Sequence, residues 1–266
     1  MKINYKNTAL SFLEDPLTFP FYVPEYSIEM TLGEEEEFKY SIRKAVLTSD
    51  FKESWLNNIQ YVTKPFHEAY SRSQSKIKSV VTETIFEEAG TLIIPWKNHT
   101  QTIFYALRTN GEKIDWDYEV MIIMFTKSPH SDEFGLDLFV YLSKEDKDFR
   151  ERIWKGFIDQ QRDSSWWIAD LMCFKTFLKY ADIETKIVNG KRKENHLGQK
   201  YVNETIYKVQ ILDSTYFTTI SRTEGFGVRG HFRLQPFGSN LSNKKLIWIT
   251  DYQKTGYTKQ AKILNP

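Results

Sequence analysis

The sequence has little cysteine, glycine and proline, and it contains no long apolar run. Its 266 residues include a single cysteine, Cys173, with 12 glycines and 8 prolines. One cysteine excludes an intramolecular disulfide and an all-cysteine metal cage. So few glycines and prolines exclude a collagen-like or linker-type chain. No segment approaches the eighteen or so apolar residues of a membrane-spanning helix, and the N terminus lacks the apolar centre of a secretory signal. We therefore expect a soluble, cytoplasmic protein with no membrane partner.

Aromatic residues, by contrast, are abundant. The chain has 7 Trp, 15 Tyr and 19 Phe, and hydrophobic residues make up 41% of it. A chain of this length and composition can bury a large core, which excludes an intrinsically disordered protein. We see no repeat and no long linker, so we expect a single domain.

The small net charge of +1 conceals an unequal distribution along the chain. Residues 186–266 carry 14 Lys and Arg against 5 Asp and Glu, whereas residues 1–185 carry 22 against 30. A strongly basic segment is typical of proteins that bind polyanions. The alternative is that the acidic and basic parts pack against each other.

The periodicity of apolar residues predicts an α+β fold, with antiparallel sheet and four to five helices packed on it. Residues 1–30, with three prolines among aromatics, should form an extended arm pinned by Phe19, Phe21, Tyr22 and Tyr26. Residues 31–185 should form an acidic mixed α/β half and residues 186–266 a basic, β-rich third. Asn110-Gly111 predicts a hairpin between the strands on either side of it.

The individual elements follow from the same patterns. Two early helices should contain 34–46 and 49–59, the second ending before Pro65, and a polar stretch at 71–79 should lead into the sheet. Two later helices should start near 143 and after Asp163, the latter apolar around much of its circumference. Strands are expected at 80–86, 91–95, 102–108, 116–125, 136–142, 205–212, 217–221, 226–235 and 245–252.

Residues 224–238, EGFGVRGHFRLQPFG, carry the most chemical information. Read as a strand, they place Arg229, His231 and Arg233 on one face and apolar side chains on the other. Guanidinium groups bind phosphate, and a histidine can exchange a proton near neutral pH. Alternatively, an acidic row at Asp115, Asp117 and Glu119 could neutralise this basic row across one sheet.

Two cofactor interpretations do not fit the sequence. Gly225, Gly227 and Gly230 formally match a dinucleotide-binding pattern, but a strand follows them where that pattern requires a helix. The glycines should instead make a turn or permit close backbone approach. The five histidines lack zinc-binding spacing, and Asp115 and Asp117 with Asp137 are more typical of a solvated strand than of a cation site. We expect no cofactor and no metal.

The blocks RGHFRLQP and LIWI, within residues 203–262, support a resemblance. This C-terminal part resembles a group of phage and mobile-element proteins of gut-type bacteria, to which no activity is assigned. The resemblance implies either a nucleic-acid-handling accessory protein or a factor that disables or modifies a host component.

Three functions remain open at this point. The first is a phage or mobile-element accessory protein whose basic C-terminal face binds nucleic acid, with single strands or RNA favoured because Tyr216, Phe217 and Tyr252 could stack on bases. The second is a protein-interaction module that inhibits a host factor through the arm at 16–26 and the acidic half. The third is a metal-independent phosphodiesterase or ribonuclease that uses His231 as its acid or base. The sequence decides neither catalysis nor oligomeric state. The residues expected to contact phosphate are Arg229, Arg233, Lys191, Arg192, Lys193, Lys244 and Lys245.

Overall fold

The computed structural model of the protein describes twelve stretches of the chain. They are residues 2–24, 31–78, 88–110, 117–128, 130–142, 164–180, 185–190, 202–213, 226–228, 230–238, 243–250 and 252–254. Within these stretches there are five α-helices: α1 (Leu10–Glu14), α2 (Leu32–Leu47), α3 (Lys52–Asn57), α4 (Lys64–Lys78) and α5 (Ser164–Tyr180). None of the five combines the length and apolar composition needed to cross a membrane.

The largest element of the described chain is an eight-stranded sheet. Its strands, in spatial order, are β2 (Phe21–Tyr22), β7 (Phe134–Leu142), β6 (Asp117–Lys127), β5 (Thr100–Asn110), β4 (Glu88–Pro95), β3 (Ile59–Val62), β10 (Val209–Leu212) and β8 (Thr185–Val188). Three two-stranded pairs complete the described strands: β1 (Lys2–Ile3) with β9 (Val202–Asn203), β11 (Phe226–Val228) with β14 (Tyr252–Lys254), and β12 (His231–Phe237) with β13 (Asn243–Ile249).

The expected α+β character is confirmed, but the expected antiparallel arrangement of the main sheet is wrong. The sheet is mixed, because β3 runs parallel to β4 and β10, and β2 runs parallel to β7. The first departure from our expectation is at residues 59–62, which form strand β3. We expected these residues to continue the second of the early helices. Helix α4 then supplies the crossover connection that parallel neighbours require.

Pro65 explains why α4 was missed. We expected this proline to end the preceding helix, whereas it lies in the first turn of α4, where its missing N–H costs nothing. Thr63 precedes the helix, and its hydroxyl accepts a hydrogen bond from the Phe66 amide at 3.4 Å. The predicted polar stretch at 71–79 therefore falls largely within α4, whose buried side chains include Phe66 and Tyr70.

The sheet is a middle layer that is covered on both faces. Along β5, Ile103 and Tyr105 belong to one core cluster, with α4 and α5, whereas Phe104 and Ala106 belong to the other, with α1, α2 and α3. The same alternation divides the six consecutive apolar residues of β6. A strand buried on both faces is expected to read as a continuous apolar run.

Residues 1–30 are not the wholly extended arm that we expected, because they include helix α1, whereas the first hairpin follows the expectation. Phe19 and Phe21 are buried against Phe12 and Phe125, but Tyr22 is 41% exposed. Strands β5 and β6 pair antiparallel up to Asn110 and Asp117, as the Asn-Gly signal predicts. The turn itself, Tyr26, and the elements expected at 80–86, from 143, and at 217–221 lie outside the described residues.

The basic C-terminal third contributes strands to each of the four described sheets. Its strands β8 and β10 extend the main sheet, and β12 pairs with β13 in a separate antiparallel ladder. The expected single strand at 226–235 is therefore two strands, β11 and β12, that belong to different ladders. A strand, and not a helix, follows Gly230, as the rejection of the dinucleotide pattern required.

Candidate functional site

The β12–β13 ladder has one face against the core and one face toward solvent. Phe232 is buried, and its ring meets those of Trp248 and Phe177 at centroid distances of 5.0 and 5.5 Å. Arg233, the next residue, is exposed. The alternation predicted for this segment is thus confirmed at 232 and 233.

The pairing register adds a second basic residue to the outer face. Gln235 lies opposite Lys245, and Arg233 lies opposite Ile247, so Arg233 and Lys245 occupy the same side of the ladder. The Lys245 ammonium group lies 5.7 Å from the centroid of the Phe237 ring, which is 43% exposed. We call the outer face formed by Arg233, Gln235, Phe237 and Lys245 the basic hairpin face.

The other predicted phosphate-binding residues are only partly placed. Arg229, Lys191, Arg192 and Lys193 lie outside the described residues, as do Lys200, Tyr216 and Phe217. The backbone of β12 and β13 puts His231 opposite Ile249 and Lys244 opposite Pro236. His231 therefore shares the side of Arg233 by register, and Lys244 lies on the opposite side.

Direct cross-strand neutralisation by the predicted acidic row does not occur in the described strands. Asp117 and Glu119 belong to β6, whose partners are β5 and β7. Strand β12 pairs with β13 in a different ladder. The two rows therefore cannot form the adjacent-strand pairs that this alternative required.

A cavity of about 320 Å³ lies between the sheet and helices α4 and α5. We call it the α4–α5 cavity. Seven apolar side chains line it, from β4, β5, β6 and α5: Leu92, Ile94, Ile103, Ile122, Met124, Leu171 and Phe174. Its polar lining comes from α4, α5, β5 and the β4–β5 turn: His67, Tyr70, Ser71, Gln74, Trp96, Gln101 and Asp170.

Asp170 is the acidic group of this cavity, and two neutral donors from α4 hold it. The Tyr70 hydroxyl donates to Asp170 Oδ1 at 2.7 Å, and the Gln74 amide donates to the same oxygen. Burial raises the pKa of Tyr70 well above its ordinary value, and the charge of Asp170 adds to that rise. Tyr70 therefore stays a hydrogen-bond donor at neutral pH.

His67 and Trp96 lie together at the cavity, with ring centroids 4.7 Å apart and the rings nearly perpendicular. Burial lowers the pKa of His67, although the charges of Asp170 and Glu68 oppose that effect. The imidazole is therefore largely neutral at pH 7. Trp96 is 41% exposed, which places it between the cavity and solvent.

Asp137, which we considered and set aside as a cation ligand, is held by hydrogen bonds. It is the unpaired residue of β7 where the register of β6 and β7 shifts. Thr126 and Gln101 donate to its carboxylate, and Gln101 in turn accepts from Trp96 Nε1 at 2.7 Å. Burial raises the pKa of Asp137.

A second polar group is buried where α5 crosses the sheet. Lys175 Nζ lies 2.7 Å from Glu88 Oε1 and also donates to the Tyr105 hydroxyl. Gln60 Oε1 is a third acceptor at 3.4 Å. Burial lowers the pKa of Lys175, and the charge of Glu88 opposes that effect. Side chains from β3, β4 and β5 thus converge on one residue of α5.

No group of three His, Cys, Asp or Glu side chains within the described residues is arranged to hold a metal ion. The single cysteine, Cys173, is buried in the core cluster of α4 and α5, as expected of a small apolar residue. The polar groups described on this side of the sheet are those of the cavity and those of the Lys175 cluster.

The sequence reasoning missed the α4–α5 cavity because its residues are scattered from 67 to 174. No short motif unites them. The one local signal was the segment 96–101, where Trp96, His99 and Gln101 cluster at the β4–β5 turn. Recognising α4 would have added His67, Tyr70 and Gln74 on successive turns of a helix.

Comparison of the sequence with protein-family models and with curated proteins finds no match to either. The resemblance of residues 203–262 to phage and mobile-element proteins therefore stays a prediction.

Proposed function

We propose that the protein binds nucleic acid, preferably single-stranded, through the basic hairpin face, in keeping with an accessory role in a phage or mobile element. The observation that carries the proposal is that the ladder register brings Arg233 and Lys245 to one exposed face beside an exposed aromatic ring. Guanidinium and ammonium groups contact phosphates, and an aromatic ring stacks on an unpaired base.

The rest of the hairpin is suited to present this face rigidly. Phe232 and Trp248 pack on Phe177 of α5, so the inner side of the ladder is fixed to the core. Arg233 on β12 and Lys245 on β13 are diagonal neighbours of the ladder, and such neighbours lie about 7–8 Å apart, close to the spacing of successive phosphates in an extended strand. A strand running along the ladder could therefore meet both basic groups.

The alternative of a host-protein inhibitor receives less support from the described residues. Phe19 and Phe21 of the arm fill the core beneath α1, so these aromatics are not available as a contact surface. Tyr22 alone of the three described arm aromatics is substantially exposed. A docking surface on the arm would need to be built from other residues.

The test measures binding of the purified chain to labelled single-stranded RNA, single-stranded DNA and duplex DNA at 50 and 200 mM salt. We expect single strands to bind more tightly and the affinity to fall steeply with salt. Arg233→Gln and Lys245→Gln should each weaken binding and lower the slope of log affinity against log salt by about 0.7. Phe237→Ala should weaken single-strand binding without changing that slope.

Lys44→Gln is the matched control for charge. Lys44 is exposed on α2, which packs on the opposite face of the sheet, and its replacement removes the same single charge. We expect binding to stay within twofold of the parent. Equal losses for Lys44→Gln and Arg233→Gln would attribute binding to net charge and contradict the proposed face, as would salt-insensitive binding.

The same experiment decides whether the bound strand is cut. If His231 acts as a general acid or base, His231→Ala should abolish cleavage while binding is retained. An intact strand after long incubation would leave binding as the function and remove the phosphodiesterase alternative.

A further inference from the structure

A second cavity, of about 410 Å³, lies between the N-terminal segment and the turn that joins β6 to β7. One wall is the 3-10 helix Tyr5–Asn7 with the residue before it and Ser11 of α1. The other consists of Lys127 and Phe134, at the strand ends, and the turn between them. We call this cavity the N-terminal groove. It has the volume of a small-molecule site, and it shares no lining residue with the basic hairpin face or the α4–α5 cavity.

Lys127 places a positive charge in the groove. Its ammonium nitrogen lies 2.5 Å from the Ser131 carbonyl oxygen and 4.9 Å from the centroid of the buried Phe134 ring. These contacts hold the half-buried side chain in position. An ammonium group has three N–H donors, so two remain for a ligand. The ion pairs of the described residues involve neither Lys127 nor Lys6, the second cation of the groove.

The neutral polar groups of the groove add further hydrogen-bond donors. Asn4 Oδ1 already accepts from the Lys6 amide at 3.0 Å, which leaves the Nδ2 hydrogens of Asn4 for another partner. Ser128 Oγ accepts from the His130 amide at 3.3 Å, so its hydroxyl hydrogen is available to donate. Asp132 also lines the groove, but it is exposed, and solvent screens an exposed charge more than a half-buried one.

We propose that the N-terminal groove binds the anionic group, a phosphate or a carboxylate, of a small polar molecule. The oxygens of such a group accept from Lys127 and from the donors of Asn4 and Ser128, and Lys6 adds a second positive charge. Hydrogen bonds between charged partners of this kind are the strong ones. The amide and hydroxyl groups of the same walls suit a ligand that also carries hydroxyl groups.

Three probes that share one sugar ring and differ in charge test the proposal: glucose 6-phosphate, glucuronate and glucose. Binding to the full chain is measured by ligand-detected saturation-transfer NMR at pH 7 and low salt. We expect the two charged probes to bind with dissociation constants of about 1 mM and glucose to bind roughly tenfold more weakly, because hydrogen bonds to charged groups contribute more. Binding of only one charged probe would support the proposal and identify the anion.

Substitutions on both walls locate the probes. Lys127→Gln should weaken the charged probes roughly tenfold, whereas Lys127→Arg keeps the charge and should retain binding within about threefold. Asn7→Asp adds a negative charge at an exposed lining position and should weaken the charged probes but not glucose. Asn98→Asp is the matched control, because Asn98 is exposed and lies outside the groove. Circular dichroism checks that each variant is folded.

Three results would overturn the proposal. They are equal binding of glucose and the charged probes, unchanged binding of the charged probes in Lys127→Gln, and no binding of either charged probe to the parent chain.

A further measurement separates this site from the proposed nucleic-acid function. We expect Lys127→Gln to leave strand binding almost unchanged and Arg233→Gln to retain the charged probes. If Lys127→Gln weakened strand binding as much as Arg233→Gln does, the groove would belong to the strand-binding surface, and the small-molecule proposal would fail. Loss of strand binding in the basic hairpin variants alone would leave the groove unaffected.

Discussion

Lys175 is 3% exposed, yet polar atoms surround its ammonium group. Glu88, Tyr105 and Gln60 all lie within hydrogen-bonding distance, and each comes from a different strand. A buried charge is strongly destabilising unless it is paired and hydrogen-bonded in this way. The cluster therefore fixes the position of α5 over the sheet.

Removing the ammonium group should therefore cost more than the loss of a surface charge. We expect Lys175→Ala to lower the free energy of unfolding by roughly 2–4 kcal/mol, because it leaves Glu88 without its cation and opens a cavity. Lys175→Met fills the space and should cost less. Urea denaturation measures both.

Lys64→Met provides the control for that comparison. Lys64 is 81% exposed and pairs with Glu68 at 3.9 Å, a surface pair that contributes little. Its replacement should change the free energy of unfolding by less than about 0.5 kcal/mol. Equal effects at 64 and 175 would show that the buried cluster does not hold α5.

His67 should make stability depend on pH on the acid side of neutrality. Burial lowers its pKa in the folded chain below the ordinary value of 6.5. Below about pH 6.5 the unfolded chain then binds a proton that the folded chain does not, so acidification favours unfolding. We expect the free energy of unfolding to fall between about pH 7 and 5, and to fall less in His67→Gln.

Chemical denaturation across that pH range measures the effect. His130→Gln, at an exposed site, is the control and should keep the profile of the parent chain. A parent and a His67→Gln variant with parallel profiles would contradict the assignment.

At the residue scale, sequence reasoning succeeded where exposure alternates locally and failed where contacts are distant. The alternation of Phe232 and Arg233 is visible in the sequence, and the structure confirms it. Lys175, by contrast, sits among apolar residues of α5 and meets partners at 60, 88 and 105. Nothing local in the sequence marks a lysine as buried.

Element boundaries show the same contrast between local and tertiary information. Helix α2 begins with a capping box in which Thr31 and Glu34 bond reciprocally, and its expected start near 34 was close. Strand β3 is only four residues long, and a single residue, Asn58, separates it from α3. Its identity as a strand depends on β4 and β10, which flank it in the sheet.

Because Gly230 has no side chain, its backbone can pack closely against the Trp248 ring of the β12–β13 ladder. A Cβ at this position would lie 2.5 Å from Trp248 Cζ2, and Phe177 and Phe232 hold that ring in place. We therefore expect Gly230→Ala to lower the free energy of unfolding by about 1–3 kcal/mol, as overpacking does. It should also weaken nucleic-acid binding by displacing the ladder.

Gly33→Ala is a control of opposite sign. A Cβ on Gly33, in the first turn of α2, meets no atom within 4 Å. Alanine should therefore stabilise the helix by about 0.5–1 kcal/mol. Thermal denaturation of both variants gives the comparison, and a Gly230→Ala chain as stable as the parent would contradict the close-packed ladder.

At the scale of the whole molecule, the charge asymmetry along the sequence does not correspond to two separate structural units. Strands β8 and β10 come from the basic third, yet they extend the sheet formed by the acidic half. The parallel pair of β3 and β10 joins residues 150 positions apart in the sequence. Such long-range pairing is beyond periodicity arguments, which is why the mixed sheet was not predicted.

The position of each strand in this sheet should set how strongly its amides are protected from hydrogen exchange. Strands β5 and β6 lie inside the sheet and are covered on both faces, so their exchange requires opening close to global unfolding. Strand β8 is at the edge, pairs only with β10 among the described strands, and exposes Ile187. We expect amides of β5 and β6 to exchange slowest and those of β8 orders of magnitude faster, as read by hydrogen-exchange mass spectrometry.

Lys175→Ala lowers global stability and should therefore accelerate the exchange of amides in β5 and β6. Amides of β8 exchange through local opening, so their rates should stay almost unchanged. If the amides of β8 exchanged as slowly as those of β6, this would contradict the assignment of β8 to an uncovered edge of the sheet.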